Sequence, residues 1–232
     1  MTHYRHLNLD GLNIFYREAG NPSRPTLLLL HGFPASSFMF RELIDRLSGD
    51  FHLVAPDYPG FGYSAAPDRE SFHYSFDHLT DVIETFTERL GLKKYWLFMQ
   101  DFGGPVGFRL AARHPDRVLG LIVQNANAYE EGLPDSFWAP AKALWADPSA
   151  ENFQRIREAA TSHEALAWNY THGVRDVAAV SPDSWILQQA LLEKPGVREI
   201  MLDLLHDYGS NPPLYPQWQA YFRAHRPPTL IV

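Results

Sequence analysis

The sequence predicts an α/β protein: a doubly wound, mostly parallel sheet with an inserted helical cap, the sheet's last strands lying outside the 232 residues present. Three observations carry this. Strand-like and helix-like segments alternate through the first half of the chain, and glycine-rich turns follow the strands. From about residue 130 to 225 the pattern is helical throughout, and strand texture returns only at the end.

Taken in order, Ile14-Phe15-Tyr16 lies in a short strand-like stretch. Thr26 to Leu30 is a continuous apolar run ending at His31-Gly32, as expected of a strand covered on both faces. Phe51 to Asp57 is the next strand, ended by the turn-forming Tyr58-Pro59-Gly60-Phe61-Gly62. Between Ser75 and Leu90 the residues Phe76, Leu79, Val82, Ile83, Phe86 and Leu90 recur at helical spacing, and Gly91 closes that helix. Tyr95 to Met99 forms a third strand running into Gln100-Asp101-Phe102-Gly103-Gly104. A helix through Val106 to Ala112 and a strand from Val118 to Val123 complete the alternating part. Beyond it, Pro134, Pro148, Pro182, Pro195 and Pro212-Pro213 punctuate helices rich in Trp, Leu and Ala, until Pro227-Pro228-Thr229-Leu230-Ile231-Val232 resumes a strand. The expected division is a core over 1–128, a cap over 129–225 and the start of a returning core strand over 226–232.

Composition narrows the function classes. The chain is 45% hydrophobic and 14% aromatic, enough for a packed core. Its formal charge of -7 and lack of any basic stripe argue against nucleic acid as a partner. No apolar run approaches the ~20 residues that span a bilayer, and the amino terminus lacks a secretory pattern, so a cytoplasmic location is expected. With no cysteine there is no disulfide, thiolate nucleophile or Cys-ligated metal, and neither metal nor cofactor is expected.

Asp101 stands between a strand and a helix and is followed by Phe102-Gly103-Gly104. This is the context of a nucleophile elbow, a sharp turn that lifts one side chain above the sheet. Met99 replaces the glycine usual two positions before the nucleophile; Gly103 keeps the one after it. A carboxylate needs no base to act as a nucleophile and suits displacement at a saturated carbon, which leaves an alkyl ester on the protein. Alone, Asp101 could simply cap the next helix. A second motif, His31-Gly32-Phe33-Pro34, follows the apolar strand where an oxyanion loop belongs, so the backbone N–H groups of Phe33 and Phe102 are the expected donors. His31, Gly32 and Pro34 are read as supports of that loop, and Asp57 to Ser64 as architecture.

On these motifs the chain resembles the α/β-hydrolase superfamily, in its epoxide hydrolase and haloalkane dehalogenase branch with Asp nucleophiles. The resemblance covers residues 1 to about 128, and the cap by position and composition. It implies a small apolar organic substrate. His31-Gly32-Phe33-Pro34 is similar to the epoxide-hydrolase loop, which implies cap tyrosines that protonate the leaving oxygen: Tyr170, with Tyr208, Tyr215 and Tyr221 behind it. Gln100-Asp101 before Gly103-Gly104 is more like the dehalogenases, where a Trp follows the nucleophile and holds the departing halide. Here Phe102 has no such N–H, leaving Trp138 and Trp168, with Trp145 and Trp185, as cap donors. Epoxide opening is therefore the favoured reaction and haloalkane displacement the alternative. A non-catalytic ligand-binding relative is the third reading, and the Asp at position 101 argues against a serine esterase.

The resemblance also implies a triad acid and a catalytic His later in the chain than Val232. The expectation is a fragment, inactive in turnover, whose oligomeric state cannot be read.

Overall fold

The five residues Thr26–Leu30 are all buried because the strand they form has its two faces covered by different layers. The protein's computed structural model describes residues 1–232. Strands β1 (His3–Leu9) and β2 (Leu12–Ala19) form a hairpin, followed by β3 (Thr26–Leu30), helix α1 (Arg41–Leu47) and β4 (His52–Pro56). Helix α2 (Phe76–Arg89), β5 (Tyr95–Gln100), α3 (Gly103–Arg113) and β6 (Val118–Gln124) follow. Six helices then intervene: α4 (Asp135–Ala146), α5 (Ala150–Thr161), α6 (His163–Thr171), α7 (Asp183–Leu192), α8 (Val197–Asp207) and α9 (Tyr215–His225). Strand β7 (Thr229–Ile231) returns to the sheet.

The seven strands are ordered β1-β2-β4-β3-β5-β6-β7. The β1–β2 and β2–β4 pairs are antiparallel and the pairs from β4 to β7 are parallel, so the sheet is mixed. The amino-terminal hairpin is longer than the short stretch around Ile14 to Tyr16 that the pattern suggested. Strand β1 is exposed over most of its length and so carries no apolar alternation.

Side-chain alternation along the parallel strands divides the core. Leu27, Leu29, Leu53 and Ala55 pack with Phe40 and Ile44 on one face. Leu28, Leu30, Val54, Leu97 and Met99 face the larger cluster, which includes Phe76, Leu79, Ile83 and Phe86 of α2. Each such side chain contributes roughly 1.5–3 kcal/mol of burial. Ser75 caps α2 by accepting from the His78 N–H, and Asp207 accepts from the Phe76 N–H at 2.7 Å. A helix start in the core is thus tied to the end of α8.

The inserted helices are not uniform in position. Helix α9 lies against α3, with Phe108 5.3 Å from Trp218 and 5.5 Å from Phe222 between ring centroids. Arg109, only 3% exposed, joins these layers by donating to Asp77, to the Pro105 carbonyl and to Asn211 Oδ1. No helix is long and apolar enough to cross a membrane. The carboxyl ends of β3, β4, β5 and β6 all open on one edge, where His31, Asp57, Asp101 and Asn125 leave the sheet.

Candidate active site

Strand β5 pairs with β3 on one side and β6 on the other, in the register Leu30 to Met99 and Gln100 to Gln124. The chain then turns into α3 within three residues. That turn places Asp101 in the left-handed region, at φ +50°, which an L-residue occupies at a conformational cost. Helix α3 starts so close to β3 that a β-carbon on Gly103 would stand 2.2 Å from the Leu30 carbonyl oxygen. Only glycine fits there, and the sharp elbow follows.

The Phe33 N–H donates to Asp101 Oδ1 at 2.6 Å. Burial raises the Asp101 carboxyl from 3.8 to about 6, while the backbone N–H groups of Phe33 and Phe102 pull it down. Both donors expected from the sequence are therefore directed at one carboxylate. Gly32 lies against the same side chain, where its own β-carbon would be 2.5 Å from Asp101 Cβ.

His31 is fully buried and spent on structure. Its Nδ1 lies 3.0 Å from the Gly32 carbonyl, and its Nε2 accepts from the Tyr58 N–H at 3.3 Å. Burial lowers its pKa, which keeps the ring neutral in this bridging arrangement. Pro34 follows Phe33 through a cis peptide bond. Asp57 anchors the adjoining turn, accepting from the N–H groups of Ser37 (2.6 Å) and Tyr63 (2.9 Å).

Tyr208, at the end of α8, is the one of the four candidate tyrosines whose hydroxyl feels the Asp101 charge. Burial, then Tyr215 and then Asp101 raise its hydroxyl pKa well above the ordinary value. Its ring lies 5.7 Å from Phe102 and 4.9 Å from Trp138. Tyr215 is buried beside it, its hydroxyl pushed up to about 12. Tyr58, also buried, feels the Asp101 charge and has a hydroxyl without a partner. In the sequence Tyr58 stood only as part of the turn after β4 and was not named as part of the site.

The other candidates are dispersed. Tyr170 lines a separate cavity and accepts a hydrogen bond from Gln188 Nε2. Tyr221 stacks on His225, and its hydroxyl is raised to about 12 by burial alone. Trp168 is 46% exposed and stacks on His172. The Trp145 indole N–H donates to the Leu205 carbonyl at 2.9 Å and is thereby occupied. Trp185 packs near Tyr170. Trp138 and Trp145 both pack on Tyr208, which in turn lies against Phe102; of the two, Trp145 has its indole N–H engaged by a carbonyl and Trp138 does not.

A family model for the alpha/beta hydrolase fold matches residues 25–185. The chain belongs to the α/β-hydrolase family. It is 41% identical over 224 residues to an uncharacterized hydrolase, YNR064C, of Saccharomyces cerevisiae, covering 96% of this chain and 77% of that protein. It is 31% identical over 237 residues to haloalkane dehalogenase 2 of Mycobacterium tuberculosis, covering 94% of this chain and 78% of the relative. Among solved structures, DBJA superposes with a TM-score of 0.79 at 26% identity, over 99% of this chain and 79% of that one. Within the α/β-hydrolase family this chain is dehalogenase-like, a hydrolase by its relatives.

Proposed function

We propose that Asp101 is the nucleophile of a displacement at a saturated carbon, and that the leaving group is the oxygen of an epoxide. Asp101 Oδ2 attacks the less hindered ring carbon, a C–O bond forms, and the ring C–O bond breaks. The Tyr208 hydroxyl transfers its proton to the departing oxygen, giving a hydroxyalkyl ester on Asp101. In the following hydrolysis the ester carbonyl oxygen would occupy the position of Oδ1, where the Phe33 N–H already points.

The observation that carries this reading is the buried Tyr208 hydroxyl, within electrostatic reach of Asp101. An epoxide oxygen must gain a proton as it leaves, and an O–H in a desolvated site supplies one. The helices α4 to α8 then act as the cap that excludes water and carries the acid. The substrate is a small apolar epoxide, in keeping with the rings of Phe33, Phe76 and Tyr208 that pack on Phe102, the residue next to Asp101.

Haloalkane displacement is the second reading, favoured by the relatives named above and by the unpartnered indole N–H of Trp138. Phe102 weighs against it, since its side chain offers no donor for a halide.

The base of the second step is not among the partners of Asp101: none of the histidines is hydrogen-bonded to it. Single-turnover ester formation on a terminal epoxide and on a matched 1-haloalkane tests the assignment. Wild type should react faster with the epoxide, and Tyr208→Phe should lower that rate by about 10²–10⁴ while leaving the haloalkane rate unchanged. Faster reaction with the haloalkane, or an unchanged epoxide rate in a folded Tyr208→Phe, would contradict it.

A further inference from the structure

A cavity of about 250 Å³ lies between the segment Ala35 to Glu42 and the helices α6 and α7. Its walls combine Phe38, Met39 and Leu187 with Arg41, Tyr170 and Gln188. Gln188 is only 6% exposed, and its Oε1 has no hydrogen-bond partner. The other amide atom, Nε2, donates to the Tyr170 hydroxyl. Turning the amide over exchanges the two atoms, so one of them is left over in either orientation. Buried polar groups are paired as a rule, and an orphan facing a cavity points to a ligand.

The remaining groups specify its chemistry. Tyr170 already accepts from Gln188 and keeps an O–H to give. Arg41 spends one nitrogen on the Phe38 carbonyl at 3.3 Å and another on Ser184 Oγ at 3.4 Å, both long contacts. Its nearest carboxylate, Glu42, is 3.7 Å away and mostly exposed. Arg41 also lies close enough to Tyr170 to oppose the upward shift of that hydroxyl. Two cavity groups therefore seek an acceptor, and a third, the Gln188 amide, seeks a group able to donate or accept. A carboxylate serves the first two. A hydroxyl beside it serves the third by donating to Gln188 Oε1, the amide atom left without a partner while Nε2 holds Tyr170.

We infer that this cavity is a binding site for a small hydroxy acid, its carboxylate on Arg41 and Tyr170 and its hydroxyl on Gln188. The site is distinct from Asp101 and does not depend on the reaction proposed there.

Calorimetric titration of the 232-residue chain with 2-hydroxybutanoate, butanoate and 1-butanol tests it. The hydroxy acid should bind at least ~10-fold more tightly than either companion, the order expected when a buried polar group is satisfied rather than left unpaired. Gln188→Leu should bring the hydroxy acid down to the butanoate level, Arg41→Met should bring it to the alcohol level, and Asp101→Asn should leave it unchanged. If the variants do not fold, the preference among the three probes on wild type still decides. Absence of that preference, no binding by any probe, or loss of binding in Asp101→Asn would each overturn the assignment. An inert Asp101 alongside intact hydroxy-acid binding would sink the proposed reaction and spare this site.

Discussion

The Sδ of Met99 fills the space that a β-carbon on Gly107 would need, 2.2 Å from its ideal position. A nucleophile elbow ordinarily keeps a glycine two residues before the nucleophile, so that the following helix can fold back over the strand. Here the bulk sits on the strand, and the helix makes room for it. Gly107→Ala should therefore destabilise the protein by about 1–3 kcal/mol, through overpacking. In a double-mutant cycle, Met99→Ala should recover most of that loss, as contacting residues do. Urea denaturation of the four proteins measures the coupling; simple additivity would show that the contact is not the cause.

The charge on Asp101 sets a pH dependence. Because the carboxyl is raised to about 6, ester formation should rise with pH through a midpoint near that value and level off above it. A rate profile of single-turnover alkylation between pH 4.5 and 8 reads this directly. A flat profile would mean that the reacting group is not this carboxylate.

The same shift has a stability consequence of opposite sense. The folded state holds the Asp101 proton more tightly than the unfolded chain, whose carboxyl has the ordinary value of 3.8. Folding stability associated with this group is full below about pH 4 and declines as pH rises to about 6. Asp101→Asn removes that decline and, discounted for the residue's partial exposure, should raise stability at pH 7.5 by about 1–3 kcal/mol. Thermal denaturation of both proteins at pH 4 and 7.5 compares them, and equal pH dependence would contradict the shift.

Arg109 is the contact point of three layers, donating to Asp77 on α2 and to Asn211 between α8 and α9. Arg109→Met keeps much of the volume and strands Asn211 without its donor. A loss of about 3 kcal/mol is expected by chemical denaturation, the order seen when one partner of a buried charged network is removed. A neutral result would show that the Phe76 and Trp218 rings around the guanidinium hold the layers without it.

The tight turn at Asp101 and the loop from His31 to Pro34 were legible because each is local. Asp101 with Gly103-Gly104, and His31-Gly32-Phe33-Pro34, each follow an apolar strand, and parallel neighbours bring those two strand ends together. The Tyr208 position was legible only as one of four tyrosines. Which of them reaches Asp101 depends on how five helices stack after β6, and the aromatic positions of α6 and α8 look alike until that packing is formed. The Met99 and Gly107 exchange was hidden for a related reason: the two residues meet only once the turn at Asp101 has folded α3 back. Strand β1 was missed because an exposed edge strand needs no apolar alternation. Nothing local in the sequence marks Arg109 or Asp207, since their partners are distant in sequence.

Covalent capture at Asp101 tests the central claim most directly. The 232-residue chain, incubated with excess 1,2-epoxyhexane at pH 7.5 and digested, should show one added epoxide mass on the peptide containing Asp101. The adduct should not form in Asp101→Asn, and hydroxylamine should release it as expected of an ester. An unmodified Asp101 peptide, or an adduct confined to surface histidines and present equally in Asp101→Asn, would contradict the account.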